Sequence, residues 1–177
     1  SVVLIERNDT IGRKIMLTGR GRCNVTNIAS TDEFIEKFGK QGQFLRSAFS
    51  VFFNQDLIDF FESKGLKLKI ERQGRVFPET DSADSVVQIL RKELKGNNVN
   101  LLYKSRLANI KKGTEFFKLT LEDNNEILAR KVILATGGAS FKNTGSTGDG
   151  FVIAKKLGHI IITLKPGLVP LKTKEHW

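Results

Sequence analysis

The sequence predicts an α/β fold in which a parallel sheet, a β-meander and inserted helices place a ligand off the carboxyl ends of the strands. Three observations carry this. A continuous apolar run, Val2 to Glu6, opens the chain and enters a long Gly- and Arg-rich connection. A second apolar run, Val132 to Thr136, enters another Gly-rich stretch, "GGASFKNTGSTGDG". Between them the hydrophobic period changes from helical to strictly alternating. Short unbroken apolar runs are typical of parallel strands buried on both faces.

The elements follow in order. "RNDTIGRKIMLTGRGRCNVTNIA" has no clean period, and a loop of that length inside a compact domain is usually functional. Ser30 and Glu33 stand at capping-box spacing before a short helix that ends at Gly39. "QFLRSAFSVF" predicts another helix. "NQDLIDFFESKG" predicts a third, with Asn54 as N-cap and Gly65 after the last turn. "LKLKI" alternates as a half-buried strand, and "QGRVFP" turns at Gly74 and stops at Pro78. "SADSVVQILRKELKG" is amphipathic through Val86, Val87, Leu90 and Leu94, and closes at Gly96. "VNLLYKSRLANI", "EFFKLTLE" and "EILARKVILAT" then alternate as meander strands. "FVIAKKLG" predicts a last helix and "HIIITL" a last strand.

Composition bounds the function. The 177 residues are 40% hydrophobic and 27% charged, which suits a globular domain with a substantial core. Thirteen Phe against one Trp and one Tyr assign the aromatic mass to core filling. The net charge of +10 admits a polyanion partner, but the charge is spread along solvated faces with no interleaved aromatics. Nucleic acid is therefore not expected as a partner. A single Cys excludes an internal disulfide framework and suggests a reducing, cytoplasmic setting. No apolar run approaches the roughly 20 residues of a membrane span, so no membrane partner is expected.

Several residues carry candidate chemistry. Glu6 ends a strand, where it either caps the strand or accepts from a ribose hydroxyl. "TGRGRCN" sets backbone amides beside guanidinium groups, as an anion site or as a plain surface loop. "ATGG" lets a ligand touch the backbone, or is only a tight turn. Asp149 is read first as a helix cap and second as a partner for a ligand hydroxyl. Cys23 lacks a nearby His and is a poor nucleophile. His159 and His176 read as structural, and no Cys, His, Asp or Glu cluster has metal spacing. Any reaction would belong to a cofactor rather than to a side-chain constellation, so the catalytic residues stay unknown.

Taken together, "VVLIERNDTIGRKIMLTGRGRCNVTN", "GRVFPETDSADSVVQIL", "VILATGGASFKNTGSTGDGFVIAKKLGH" and "PGLVPL" resemble the bacterial flavoproteins labelled aminoacetone-oxidase-family FAD-binding enzymes, a group of NAD(P)/FAD-dependent oxidoreductases. The layout is also similar to the wider FAD fold of fumarate reductases and glutathione reductase. The resemblance implies a partial Rossmann-like FAD-binding domain, with non-covalent FAD and NAD(P)H as a candidate co-substrate. It implies Glu6 on the adenosine ribose, and Gly12, Arg13 and Lys14 along the pyrophosphate and ribityl chain. Thr18, Gly19, Gly21, Arg22, Cys23 and Asn24 would line the flavin side. Leu107 would offer backbone groups to adenine, Thr136, Gly137 and Gly138 would pass close to the dinucleotide, and Asp149 would close near the flavin.

The resemblance also implies domain limits. Residues 1–165 would form an incomplete FAD-binding domain lacking its first βα unit, with the meander at about 99–129. Residues 166–177 would be a tail leading toward a second domain. Such a piece alone would bind FAD weakly or not at all, and its exposed sheet edge would permit self-association. The small-molecule substrate is open. The competing reading is a non-catalytic, truncated flavoprotein-like domain acting as a basic nucleic-acid- or protein-binding module.

Overall fold

The computed structural model describes residues 1–165. They form two compact units, one of residues Ser1–Arg106 and one beginning at Leu107.

In the first unit, β1 (Val3–Ile5) pairs in parallel with β5 (Asn100–Leu102), with Leu4 opposite Leu101. The alternating run after residue 99 was expected to be one meander strand. It is divided instead: Asn100–Leu102 joins β1, and the meander begins at Leu107. The division has a physical cause. Lys104, at φ +51°, turns the chain, and the amides of Lys104 and Ser105 donate to the carbonyls of Asn8 and Glu6 at 2.8 and 3.0 Å. Those two bonds tie the turn to the end of β1.

A second sheet has the order β2 (Thr26–Asn27), β4 (Arg75–Pro78), β3 (Leu68–Glu71), all antiparallel. Helices surround it. In α1 (Thr31–Lys37) the predicted capping box is present: the Glu33 amide donates to Ser30 Oγ, and Glu33 Oε2 accepts from the Ser30 amide at 2.7 Å. The next helix is shorter than expected. A 3₁₀ segment, Gly39–Leu45, precedes α2 (Arg46–Phe49). Gly42, within the 3₁₀ segment, lies so close against the carbonyl of Ile35 that any side chain would collide with it.

The third helix, α3 (Asn54–Ser63), is capped one residue earlier than expected. The Phe53 amide donates to Asp56 Oδ2 at 2.7 Å. The Asn54 amide group instead reaches the carbonyls of Asn27 and Ala29, both at 2.8 Å, fixing the helix to β2. In α4 (Ala83–Gly96) Ser82 accepts from the Asp84 amide, and the C-cap is Asn97 rather than the expected Gly96. The core of this unit gathers Cys23, Phe61, Leu66, Ala83 and Val86, and β4 contributes the fully buried Val76 and Phe77.

In the second unit, β6 (Leu107–Lys112), β7 (Phe117–Leu121) and β8 (Glu126–Ala129) make the meander, burying Ile110, Leu119 and Leu121. A short 3₁₀ turn, Lys142–Thr144, and α5 (Asp149–Lys156) follow. Two expected strands are not formed. Residues 131–136 and 159–164 lie in no strand, and Ile133 and Ile160 are 91% and 93% exposed. A strand exists only through a ladder with a neighbour, and no described strand pairs with either segment. The Pro-containing tail and His176 lie outside the described residues.

The core predicts a clear contrast. Phe61→Ala, at a site 4% exposed, should destabilise by about 3–5 kcal/mol. Phe44→Ala, at a site 85% exposed, should stay within about 0.5 kcal/mol of wild type. Urea unfolding monitored by circular dichroism measures both.

Candidate functional site

The connection after β1 folds back onto β4 and α4. Glu6 Oε1 accepts from the backbone and side-chain nitrogens of Asn8, at 2.8 and 2.7 Å, so its carboxylate is oriented. Gly12 lies directly against Val87 of α4, and Arg91 of α4 donates to the Thr10 hydroxyl. Arg13 pairs with Asp9 at 3.5 Å and donates to Asn8 Oδ1 at 3.1 Å. Lys14 is exposed at the start of a 3₁₀ segment, Ile15–Gly21.

The stretch from Thr18 to Asn24 is the most contorted in the unit. Gly19, Arg20, Gly21 and Cys23 have φ of +56°, +58°, +85° and +63°. A side chain in that left-handed region costs about 1–2 kcal/mol per residue, so Arg20 and Cys23 must be held by their surroundings. The amides of Arg22 and Cys23 donate to the carbonyls of Gly19 and Thr18 at 3.3 and 3.0 Å. A Cβ at Gly19 would fall 2.9 Å from both the Asn24 amide nitrogen and the Phe77 ring. Glycine is required there because the backbone itself lies on the ring.

Arg22 fixes this loop electrostatically. Its guanidinium sits 4.1 Å over the Phe77 ring, meets both carboxylate oxygens of Glu71 at 2.8 and 3.3 Å, and meets Asp81 at 3.2 Å. Lys69 completes the group, 2.6 Å from Asp81. The hydrogen bond from Arg22 holds the Glu71 carboxyl below the usual carboxylate range, and the bond from Lys69, then that from Arg22, does the same for Asp81. Glu71 raises Arg22 in turn. Arg22 is thus neutralised within the chain, whereas its neighbour Arg20 is exposed. Cys23 is 6% exposed, and burial pushes its thiol up, partly offset by a hydrogen bond with the Thr18 side chain.

In the second unit Leu107 opens β6 opposite Leu121, beside a register irregularity. The two ends of the second Gly-rich stretch, residues 136–138 and 145–150, pack on each other. Gly150 lies against the Thr136 hydroxyl, a Cβ at Gly137 would stand 2.8 Å from Ser146 Oγ, and the Gly148 amide donates to the Gly138 carbonyl at 3.1 Å. Asp149 does not act as the helix cap. Gly148 is the cap residue, and Asp149 Oδ1 accepts from the Thr147 hydroxyl at 2.8 Å. The reason is positional: Asp149 is already the first helical residue, one place too late to cap.

Gly138 is different. It is outside the left-handed region, and a Cβ there would meet nothing within 4 Å. A Cβ at Gly21 would meet only the Met16 carbonyl oxygen, at 3.9 Å. Each Gly-rich stretch therefore has one glycine demanded by packing within the chain, Gly19 or Gly137, and a following one whose backbone is bare. Among the described residues no group of His, Cys, Asp and Glu is arranged to hold a metal, and no helix is long and apolar enough to cross a membrane. An open groove of about 460 Å³ lies beside Phe34, Phe38, Asn27 and Gln73, and none of the expected site residues lines it.

The family comparison gives the chain its place. Residues 1–175 match the model of the HI0933-like protein Rossmann domain. The chain belongs to this family, whose members are FAD-binding oxidoreductases. The HI0933-like chain is 35% identical to a 3-dehydro-bile acid delta(4,6)-reductase of Clostridium scindens, over 99% of its own length and 42% of that protein. It is 31% identical to a ribosomal RNA dihydrouridine synthase of Escherichia coli, over 96% of its own length and 41% of that protein. The chain thus spans about two fifths of these relatives. An open conformation of a flavocytochrome c3 fumarate reductase superposes with a TM-score of 0.50 at 20% identity, covering 89% of this chain and 36% of that one, and shares the fold. The expected Rossmann-type α/β class, with parallel sheet and helices, is the class of this family, and the chain is a flavin oxidoreductase-like domain.

Sequence reasoning missed Glu71, Asp81 and Lys69. Their signal lay in two short segments, "KIE" and "ETD", either side of Phe77, but only the folded hairpin brings them to Arg22. The network has a pH consequence. Both carboxyls titrate below their unfolded values of about 4, so their stabilisation is complete above that range and is lost as pH falls through the lowered folded values. Arg22→Met should flatten the acid-side loss of hydrogen-exchange protection at the Cys23 amide relative to wild type, measured between about pH 2 and 5.

Proposed function

We propose that the chain contributes to the FAD site of a flavin-dependent reductase acting on a carbon–carbon double bond conjugated with a carbonyl. The bare backbone at Gly138 carries the cofactor part of this reading. No packing contact and no positive φ requires glycine there, and a flat or anionic ligand lying on the main chain does. Glu6 suits the ribose. Asn8 occupies one carboxylate oxygen and orients the group, which keeps acceptor capacity for sugar hydroxyls. The exposed Arg20 and Lys14 would supply positive charge to the phosphates.

Bound FAD supplies hydride transfer, with NAD(P)H as the proposed reductant. The protein's part is to hold the dinucleotide against exposed main chain such as that of Gly138. The substrate class comes from the relatives. A 3-dehydro-bile acid unsaturated at positions 4 and 6 and the uracil ring of RNA both present an alkene conjugated with a carbonyl. Such an alkene accepts hydride because the carbonyl takes up the developing negative charge.

The full-length protein should purify with flavin absorbance near one equivalent. Gly138→Leu should keep the wild-type unfolding midpoint and lower FAD affinity by at least about tenfold, or ~1.4 kcal/mol. Photoreduced protein should be reoxidised anaerobically by a conjugated enone and not by an isolated alkene. Wild-type FAD affinity in Gly138→Leu would sink the cofactor assignment, and indifference to the enone would sink the substrate class.

A further inference from the structure

We infer that Glu71 and Asp81, steadied by Lys69, are positioning residues for the proposed flavin loop: they hold Arg22, and through it residues 18–24, in the shape offered to the cofactor. The inference rests on the reading of that loop as a flavin surface.

The geometry separates shape from charge. Three of the four groups around Arg22 come from one hairpin. Lys69 and Glu71 share a face of β3, and their register partners on β4 are Phe77 and Arg75. Asp81 arrives from the turn between β4 and α4, at φ +51°. The bidentate contact with Glu71 and the stack on Phe77 fix the plane of the guanidinium, which a lysine at position 22 could not reproduce. Arg22 is itself right-handed, at φ −93°, between the left-handed Gly21 and Cys23. Fixing its side chain therefore fixes the hinge of the contorted stretch. The two flanking amides make their bonds within the same loop, to Gly19 and Thr18, so they do not anchor it to the sheet.

The same contacts exclude Arg22 as the cation for a ligand phosphate. Two carboxylates already answer its single charge, leaving that task to Arg20 in the same loop. The side chains of Arg22, Glu71 and Asp81 are 35%, 26% and 45% exposed. Ion pairs so exposed add little to global stability, which makes local order of the loop the quantity they govern.

The test uses the full-length protein with Glu71→Gln and Asp81→Asn. Hydrogen exchange at the Arg22 and Cys23 amides of FAD-free protein reads loop order directly, and FAD titration reads the consequence. Glu71→Gln should speed exchange at both amides by about tenfold and weaken FAD binding by a similar factor, with the unfolding midpoint of FAD-free protein unchanged. Asp81→Asn should act in the same direction and more weakly, because Asp81 is shared with Lys69. Unchanged exchange in Glu71→Gln overturns the clamp. Faster exchange with unchanged FAD affinity overturns its role toward the cofactor, and a midpoint that falls in step with affinity shows a merely structural role. Wild-type protein that takes up no FAD overturns the flavin reading itself, while the exchange data still decide the clamp.

Discussion

The contorted loop of the first unit depends on the seating of one guanidinium. Arg22 stacks on Phe77, a ring 2% exposed, and is closed in by carboxylates from two different segments. Phe77 joins two systems through this contact. It belongs to the buried centre of β4 and is also the floor on which Gly19 rests. The hydrophobic core and the left-handed loop are therefore one construction. A change that moved β4 would displace the loop, and a bulkier residue at 19 would push against the core.

The second unit reaches a similar end by other means. Around Gly137 and Gly138 the chain is held by close packing. The two ends of the Gly-rich stretch lock by contact, with the Thr136 hydroxyl against Gly150 and Ser146 against Gly137. Thr144 and Ser146, both buried, belong to this packing, and no buried side-chain nitrogen or oxygen among the described residues lacks a hydrogen-bond partner. The proposed ligand surface at Gly138 is thus main chain, which is the chemistry expected where a cofactor does the reacting.

Features set by local rules were legible in the sequence: the capping box at Ser30, the amphipathic stripe of α4, the left-handed Gly65 after α3, and the alternation of β6 to β8. Features set by partners distant in sequence were not. Asn100–Leu102 alternates like a meander strand, yet its place beside β1 is fixed by hydrogen bonds from Lys104 and Ser105 to carbonyls almost a hundred residues earlier. The Val132–Thr136 run has the composition of a buried strand, but composition supplies no ladder. For the site, glycine positions and the strand-ending Glu6 were visible as types. Whether a glycine serves the chain or a ligand, as with Gly137 against Gly138, is decided only by what surrounds it.

Cys23 gives the loop an unplanned property. It is the chain's one cysteine, buried beneath the contorted stretch with its thiol pushed up by that burial. Thiolate is the reactive form, so this sulfur ionises and meets an alkylating reagent more readily when the loop is lifted. The rate of its modification is then a clock for loop opening, readable with no added label and no competing thiol in the chain. The residue that performs no chemistry in the proposed reaction is the one that reports when its site is open.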